Sequence, residues 1–214
     1  MKKSVYSLIL TDEVIDRLDR AAYARGVSRS ALADEILAGY LSYTTPEMRM
    51  QQVLETACRL LGQGDDMQLI APPSSGGMIL RSAIRYKYNP TVRYSVELFR
   101  ADDGPAGRLR AALRTRSEVL LEDAARFFAL WDGLEQRLLG RSRGEIGPGR
   151  YTRLFIPEGD GWTSENLGQS IADYVTLFDG ALRLYFDRLD SPQEAAAEVG
   201  RRYAAYLKSG KPTL

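Results

Sequence analysis

At 214 residues, with 29 Lys and Arg against 28 Asp and Glu, the chain can bury a real core. Its near-zero charge excludes any case for nucleic-acid or membrane binding that rests on the whole molecule. There is one cysteine and no histidine. This excludes an intramolecular disulfide and removes the commonest metal ligand and general base.

The leading stretch SVYSLIL reads as a strand, yet it is apolar on both faces and has no second strand near it in sequence. A lone strand cannot satisfy its own backbone. Its apolar run breaks at Thr11 and Asp12, too early for a signal peptide, and no run elsewhere is long enough to span a bilayer, so a cytoplasmic location is the expectation. From Thr11, Val14, Ile15, Leu18, Ala21 and Ala22 form one helical stripe, opened by acidic residues and closed by Gly26. A second helix follows Ser28, a plausible N-cap, with Ala31, Leu32, Ile36, Leu37, Tyr40 and Leu41 at helical spacing. Pro46 breaks the pattern, which sets the expected domain boundary at 1–45 and 46–214.

After a third helix from Glu47 comes a Gly, Pro, Ser and Asp-rich loop with room for a short strand. The clearest β signal is next: Leu80, Ile84, Tyr86 and Tyr88, then Val92, Tyr94, Val96 and Leu98, alternate with polar residues on either side of Asn89-Pro90-Thr91. That predicts a β-hairpin with one apolar and one basic face. The remainder reads as helical: GRLRAALRTR, then a long helix from Ser117, a Gly-rich turn at RSRGEIGPG, and two final helices. RYTRLFI offers a third strand for the hairpin. The expected fold is therefore mainly α, with an α+β C-terminal part built round a hairpin or three-stranded antiparallel sheet. There is no convincing internal repeat or low-complexity segment.

The order strand, helix, Gly26-Val27-Ser28-Arg29-Ser30 turn, helix resembles the ribbon-helix-helix DNA-binding family of the Arc and MetJ type, over the first 43 residues or so. The resemblance implies that two subunits pair their strands as an antiparallel ribbon, so the missing partner is the same strand of a second copy. Counting back from Val14, Tyr6, Leu8 and Leu10 face inward; Lys3, Val5, Ser7 and Ile9 face outward. In the family that outer face reads base edges in the major groove. Here Ser7 can hydrogen-bond a base and Val5 or Ile9 can touch a thymine methyl, but no side chain offers bidentate readout. Lys2, Lys3 and Arg29, with the free N–H groups about Ser28, Arg29 and Ser30, are left to hold phosphate. Within this segment Lys2, Lys3, Arg17, Arg20, Arg25 and Arg29 are balanced by Asp12, Glu13, Asp16, Asp19, Asp34 and Glu35. Ser28 could merely cap its helix, and Val5 and Ile9 could be covered by protein.

Charge is segregated further on, with basic residues in excess from Arg81 to Arg116 and acidic ones in excess beyond. A basic sheet face could bind a nucleic-acid backbone, although a solvated face is the plainer expectation. No catalytic arrangement emerges. Cys58 lies on a helical stripe with Leu54 and Leu61, where a thiol is usually structural, and the glycine clusters match no phosphate-binding fingerprint. The sequence thus points to a non-enzymatic homodimeric DNA-binding protein without cofactor, a transcriptional regulator. Its alternatives are a mobile-element or plasmid accessory factor whose C-terminal domain recruits a protein, and a dimeric scaffold that does not touch DNA.

Overall fold

Thr11 opens α1 (Asp12–Arg25), whose first turn carries Asp12 and Glu13 where the helix dipole favours negative charge. Gly26 ends it at φ +64, a left-handed conformation in which Gly26 N–H bonds Tyr23 O at 3.1 Å and Val27 N–H bonds Ala22 O at 3.0 Å. α2 (Arg29–Tyr40) starts at Ser28, whose Oγ accepts from Ala31 N–H at 3.2 Å. The computed structural model describes residues 5–64, 66–74, 76–86, 89–100, 104–140 and 142–214. It divides into two compact units, Met1–Met48 and Arg49–Leu214.

In the first unit helices come first. Residues 5–10, expected as a strand, belong to no strand here. The reason is the one the sequence raised: a strand exists only with a hydrogen-bonding partner, and a single chain supplies none at this point. α1 and α2 bury Ala22, Leu32 and Ala38 between them, while Val14, Ile36, Leu37 and Tyr40 stay exposed. α3 (Pro46–Leu61) begins in this unit, where Thr45 Oγ1 accepts from Met48 N–H at 3.1 Å, and continues into the second.

The second unit corrects the expected fold class. It is α+β, with a six-stranded antiparallel sheet rather than a hairpin or three strands in a helical domain. The strands are β1 (Met67–Ser74), β2 (Gly77–Ala83), β3 (Thr91–Leu98), β4 (Gly107–Arg114), β5 (Gly144–Gly147) and β6 (Arg150–Phe155), in the order β1-β2-β3-β4-β6-β5. The expected hairpin is β2 with β3, and RYTRLFI supplies β6. The error lies in β4. Leu, Arg and Ala are good helix formers, but Leu109, Ala111 and Leu113 point to the core while Arg108, Arg110 and Arg114 point away, and pairing with both β3 and β6 outweighs weak local preference. Pro72 and Pro73 sit in β1, an edge strand with an interrupted register, where absent N–H groups cost no ladder bond. The Gly-rich turn is part of a β5–β6 hairpin.

α4 (Glu118–Leu139), α5 (Ser164–Asp187) and α6 (Pro192–Lys208) complete the unit. α5 starts with a reciprocal capping box between Thr163 and Asn166. One sheet face meets the helices through an aromatic cluster centred on Phe178, whose ring lies 5.1 Å from Trp131, 5.5 Å from Phe127 and 5.6 Å from Tyr151. Tyr94 is fully buried in the same core, as its alternation predicts; Tyr86 sits at the rim against Phe186, and Lys87 and Tyr88 lie outside the described residues. Cys58 packs beside Met78, sulfur to sulfur 3.2 Å, and burial pushes its thiol pKa up, away from a reactive thiolate.

Candidate nucleic-acid interface

Of the residues that the sequence places on the outer face, Val5, Ser7 and Ile9 are described and exposed, Val5 at 99% and Ile9 at 102%. Lys2 and Lys3 lie outside the described residues. The residues expected to face inward are less accessible: Tyr6 85%, Leu8 65% and Leu10 43%. All six residues from 5 to 10 are exposed. What is missing is a core deep enough to cover the inward set.

At the start of α2 the three expected phosphate contacts separate. Ser28 spends its side-chain oxygen on its own helix, as a cap does. Ser30 is exposed in the first turn, where helical backbone N–H groups have no partner of their own. Arg29 is not free. Its Nε and Nη2 form a two-pronged ion pair with the carboxylate of Asp19 on α1, and this bond raises the guanidinium pKa. Arg25 makes a second tie, to Glu35 Oε1 at 2.9 Å and Oε2 at 3.1 Å. Sequence spacing could not show this, because both partners lie ten positions away and meet only when α1 and α2 fold back on each other. Arg25 and Arg29 therefore brace the helix hairpin of this unit.

The second unit keeps its strongest electrostatics inside. Glu135 on α4 is fully buried and lies 3.1 Å from Arg153 Nε of β6. Its carboxylate also accepts from the Tyr174 hydroxyl at 2.9 Å, Tyr151 at 3.3 Å and Tyr203 at 3.4 Å. Arg153 stacks 4.2 Å over the Tyr174 ring and donates to the carbonyl of Leu214. Burial opposes the Arg153 charge, but its anionic and phenolic neighbours outweigh that and hold its pKa above the ordinary value. A second buried acid, Asp179, accepts from Tyr94 at 2.8 Å and lies 3.0 Å from Arg183 Nε. Desolvation raises its pKa.

A cleft of the second unit is lined by Arg85, Arg183, Asp187, Arg188 and Arg202, and Arg183 there is already committed to Asp66 and Asp179, Arg202 to Glu198. Among the described residues no group of His, Cys, Asp and Glu is arranged to hold a metal ion, and no helix is long and apolar enough to cross a membrane. No protein-family model matches the chain, and neither a curated protein nor a solved structure is significantly similar to it.

Proposed function

We propose that the chain acts as a homodimeric DNA-binding protein, a transcriptional regulator, in which two copies of residues 5–10 pair as an antiparallel ribbon. The outer face carries Val5, Ser7 and Ile9, with Lys2, Lys3 and the first turn of α2 beside it. One observation carries this reading. The first unit buries Ala22, Leu32 and Ala38 but leaves Leu8, Leu10, Val14, Ile36 and Leu37 uncovered. So small a core cannot offset the conformational entropy of ordering some 45 residues. A second copy placed across a two-fold axis would pair the strands, cover the inward side chains and leave the odd-numbered residues outside.

The scaffold reading, in which the ribbon only dimerises, gains from the Asp19–Arg29 pair, because it takes a cation from the DNA side. Two measurements separate these possibilities. Leu8→Asp should break the dimer in sedimentation velocity. Ile9→Glu should leave the dimer intact but lose random-sequence duplex at low salt. A parent that stays a folded monomer at high dilution removes the ribbon, and an Ile9→Glu protein that binds duplex as the parent does leaves the ribbon as a dimerisation device only.

A further inference from the structure

The face of the second unit's sheet that points away from α4 and α5 carries Arg81, Arg93, Arg108, Arg110, Arg114 and Arg150 against Glu97 and Glu145. Their arrangement follows from register. Arg81 of β2 is directly opposite Arg93 of β3, Arg93 is opposite Ala112 of β4, and Ala112 is opposite Arg150 of β6. Directly paired residues share a face, so these form one row across four strands, about 14 Å long at the usual strand spacing. The next row runs Ile79, Ser95, Arg110, Thr152, Glu145. Ser95, Ala112 and Thr152 lie between the arginines, Ile79 and Leu154 share their face, and at its end the Arg108 guanidinium lies 5.9 Å over the ring of Phe99.

Three features single this face out. Like charges set directly opposite each other in a sheet are destabilising, yet Arg81 and Arg93 are placed so. Arg81 is steadied by Gln68, a neutral partner at 2.5 Å, while Arg93, Arg110, Arg114 and Arg150 have no ion pair among the described residues. Arg110 also holds a buried Nε with no hydrogen-bond acceptor. A buried donor of that kind is costly unless an acceptor arrives. Among the described residues only Arg108 of this face is neutralised, by Glu97 at 2.5 Å.

We infer that this arginine face is a second binding surface, for the phosphate backbone of double-stranded DNA. Guanidinium groups in a flat row suit a line of phosphates, each fork donating to two phosphate oxygens. One half-buried ring, Phe99, already covered by Arg108, falls short of the series of rings that a base-stacking platform for single strands needs, and Ile79 and Leu154 are half-buried, which leaves little to insert into a membrane interface. The surface extends the proposed function and rests on it only in supposing that the chain meets duplex DNA. It carries no base readout, so it adds affinity without sequence preference.

The test uses the full chain and a short random-sequence duplex, titrated over a range of salt. Arg93→Gln with Arg150→Gln should weaken binding about tenfold and lower the salt slope by about two, as the loss of two phosphate contacts requires. Glu145→Gln should tighten binding, an effect that misfolding cannot mimic. Ile9→Glu runs alongside. If the arginine pair and Glu145→Gln leave affinity and slope unchanged, the surface is not a DNA site, and a loss with Ile9→Glu in that same experiment keeps the ribbon reading. If the arginine pair loses binding and Ile9→Glu does not, the sheet face stands and the ribbon reading falls. Arginine-dependent binding to phosphatidylserine vesicles, with none to duplex, overturns the assignment to DNA.

Discussion

Asp19 of α1 holds Arg29 of α2 through both oxygens of its carboxylate. The side chain that spacing places beside a phosphate is thereby tied, at the surface, across two helices. On the DNA-binding reading, Asp19→Asn should release Arg29, tighten duplex binding several-fold and steepen the salt slope by about one contact. Equilibrium titration at two salt concentrations decides it; unchanged binding means that Arg29 has no role at the interface.

The second unit's central ion pair should behave as a unit. Arg153→Met leaves the Glu135 carboxylate buried without its cation and should cost about 3–5 kcal/mol in urea unfolding. Glu135→Leu combined with Arg153→Met should cost clearly less than the two single changes added together, because both charges leave at once. Additive costs would show that the two side chains are not coupled.

Two glycines of α5 should respond in opposite directions to the same change. A Cβ at Gly168 would stand 2.7 Å from Val53 O and 2.7 Å from Thr56 Cβ, where α5 crosses α3, whereas one at Gly180 meets nothing within 4 Å. Gly168→Ala should destabilise by about 1–3 kcal/mol through overpacking. Gly180→Ala should stabilise by up to about 1 kcal/mol through helix propensity. Thermal melts of the two variants beside the parent read both signs.

Asp179 gives a pH dependence of defined sign. Burial raises its pKa, so the folded state holds the proton more tightly than the unfolded chain does. Stability from this group is then greatest below the ordinary carboxylate value of about 4 and declines as pH rises through the interval up to the raised folded value. Asp179→Asn keeps an acceptor for the Tyr94 hydroxyl and removes the titration. The parent's stability relative to this variant should fall with rising pH across that interval, as urea midpoints would show; a difference that rises with pH reverses the assignment.

Much of the helical framework was legible in the sequence because its causes are local. The acidic first turn and Gly26 stop of α1, Ser28 as the cap of α2, and apolar stripes at helical spacing each act within a few residues. The β2–β3 hairpin was legible for the same reason. β4 was not, since Arg, Leu and Ala suit a helix equally well and only β3 and β6, one of them some forty residues away, favour the strand. The candidate site followed the same division: the alternation of residues 5–10 could be read directly, but the capture of Arg29 by Asp19 could not.

By itself, then, the sequence determined where α1 and α2 start and stop, which stretch lacks a partner strand, and that histidine and an intramolecular disulfide are absent. Tertiary structure alone decided that scattered arginines align in one row, that Glu135 and Arg153 meet in the core, and that the expected hairpin is part of a six-stranded sheet. The reason is range. Helix signals act over about four residues, whereas strand pairing and buried charge depend on groups far apart in the chain that only the finished fold brings into contact.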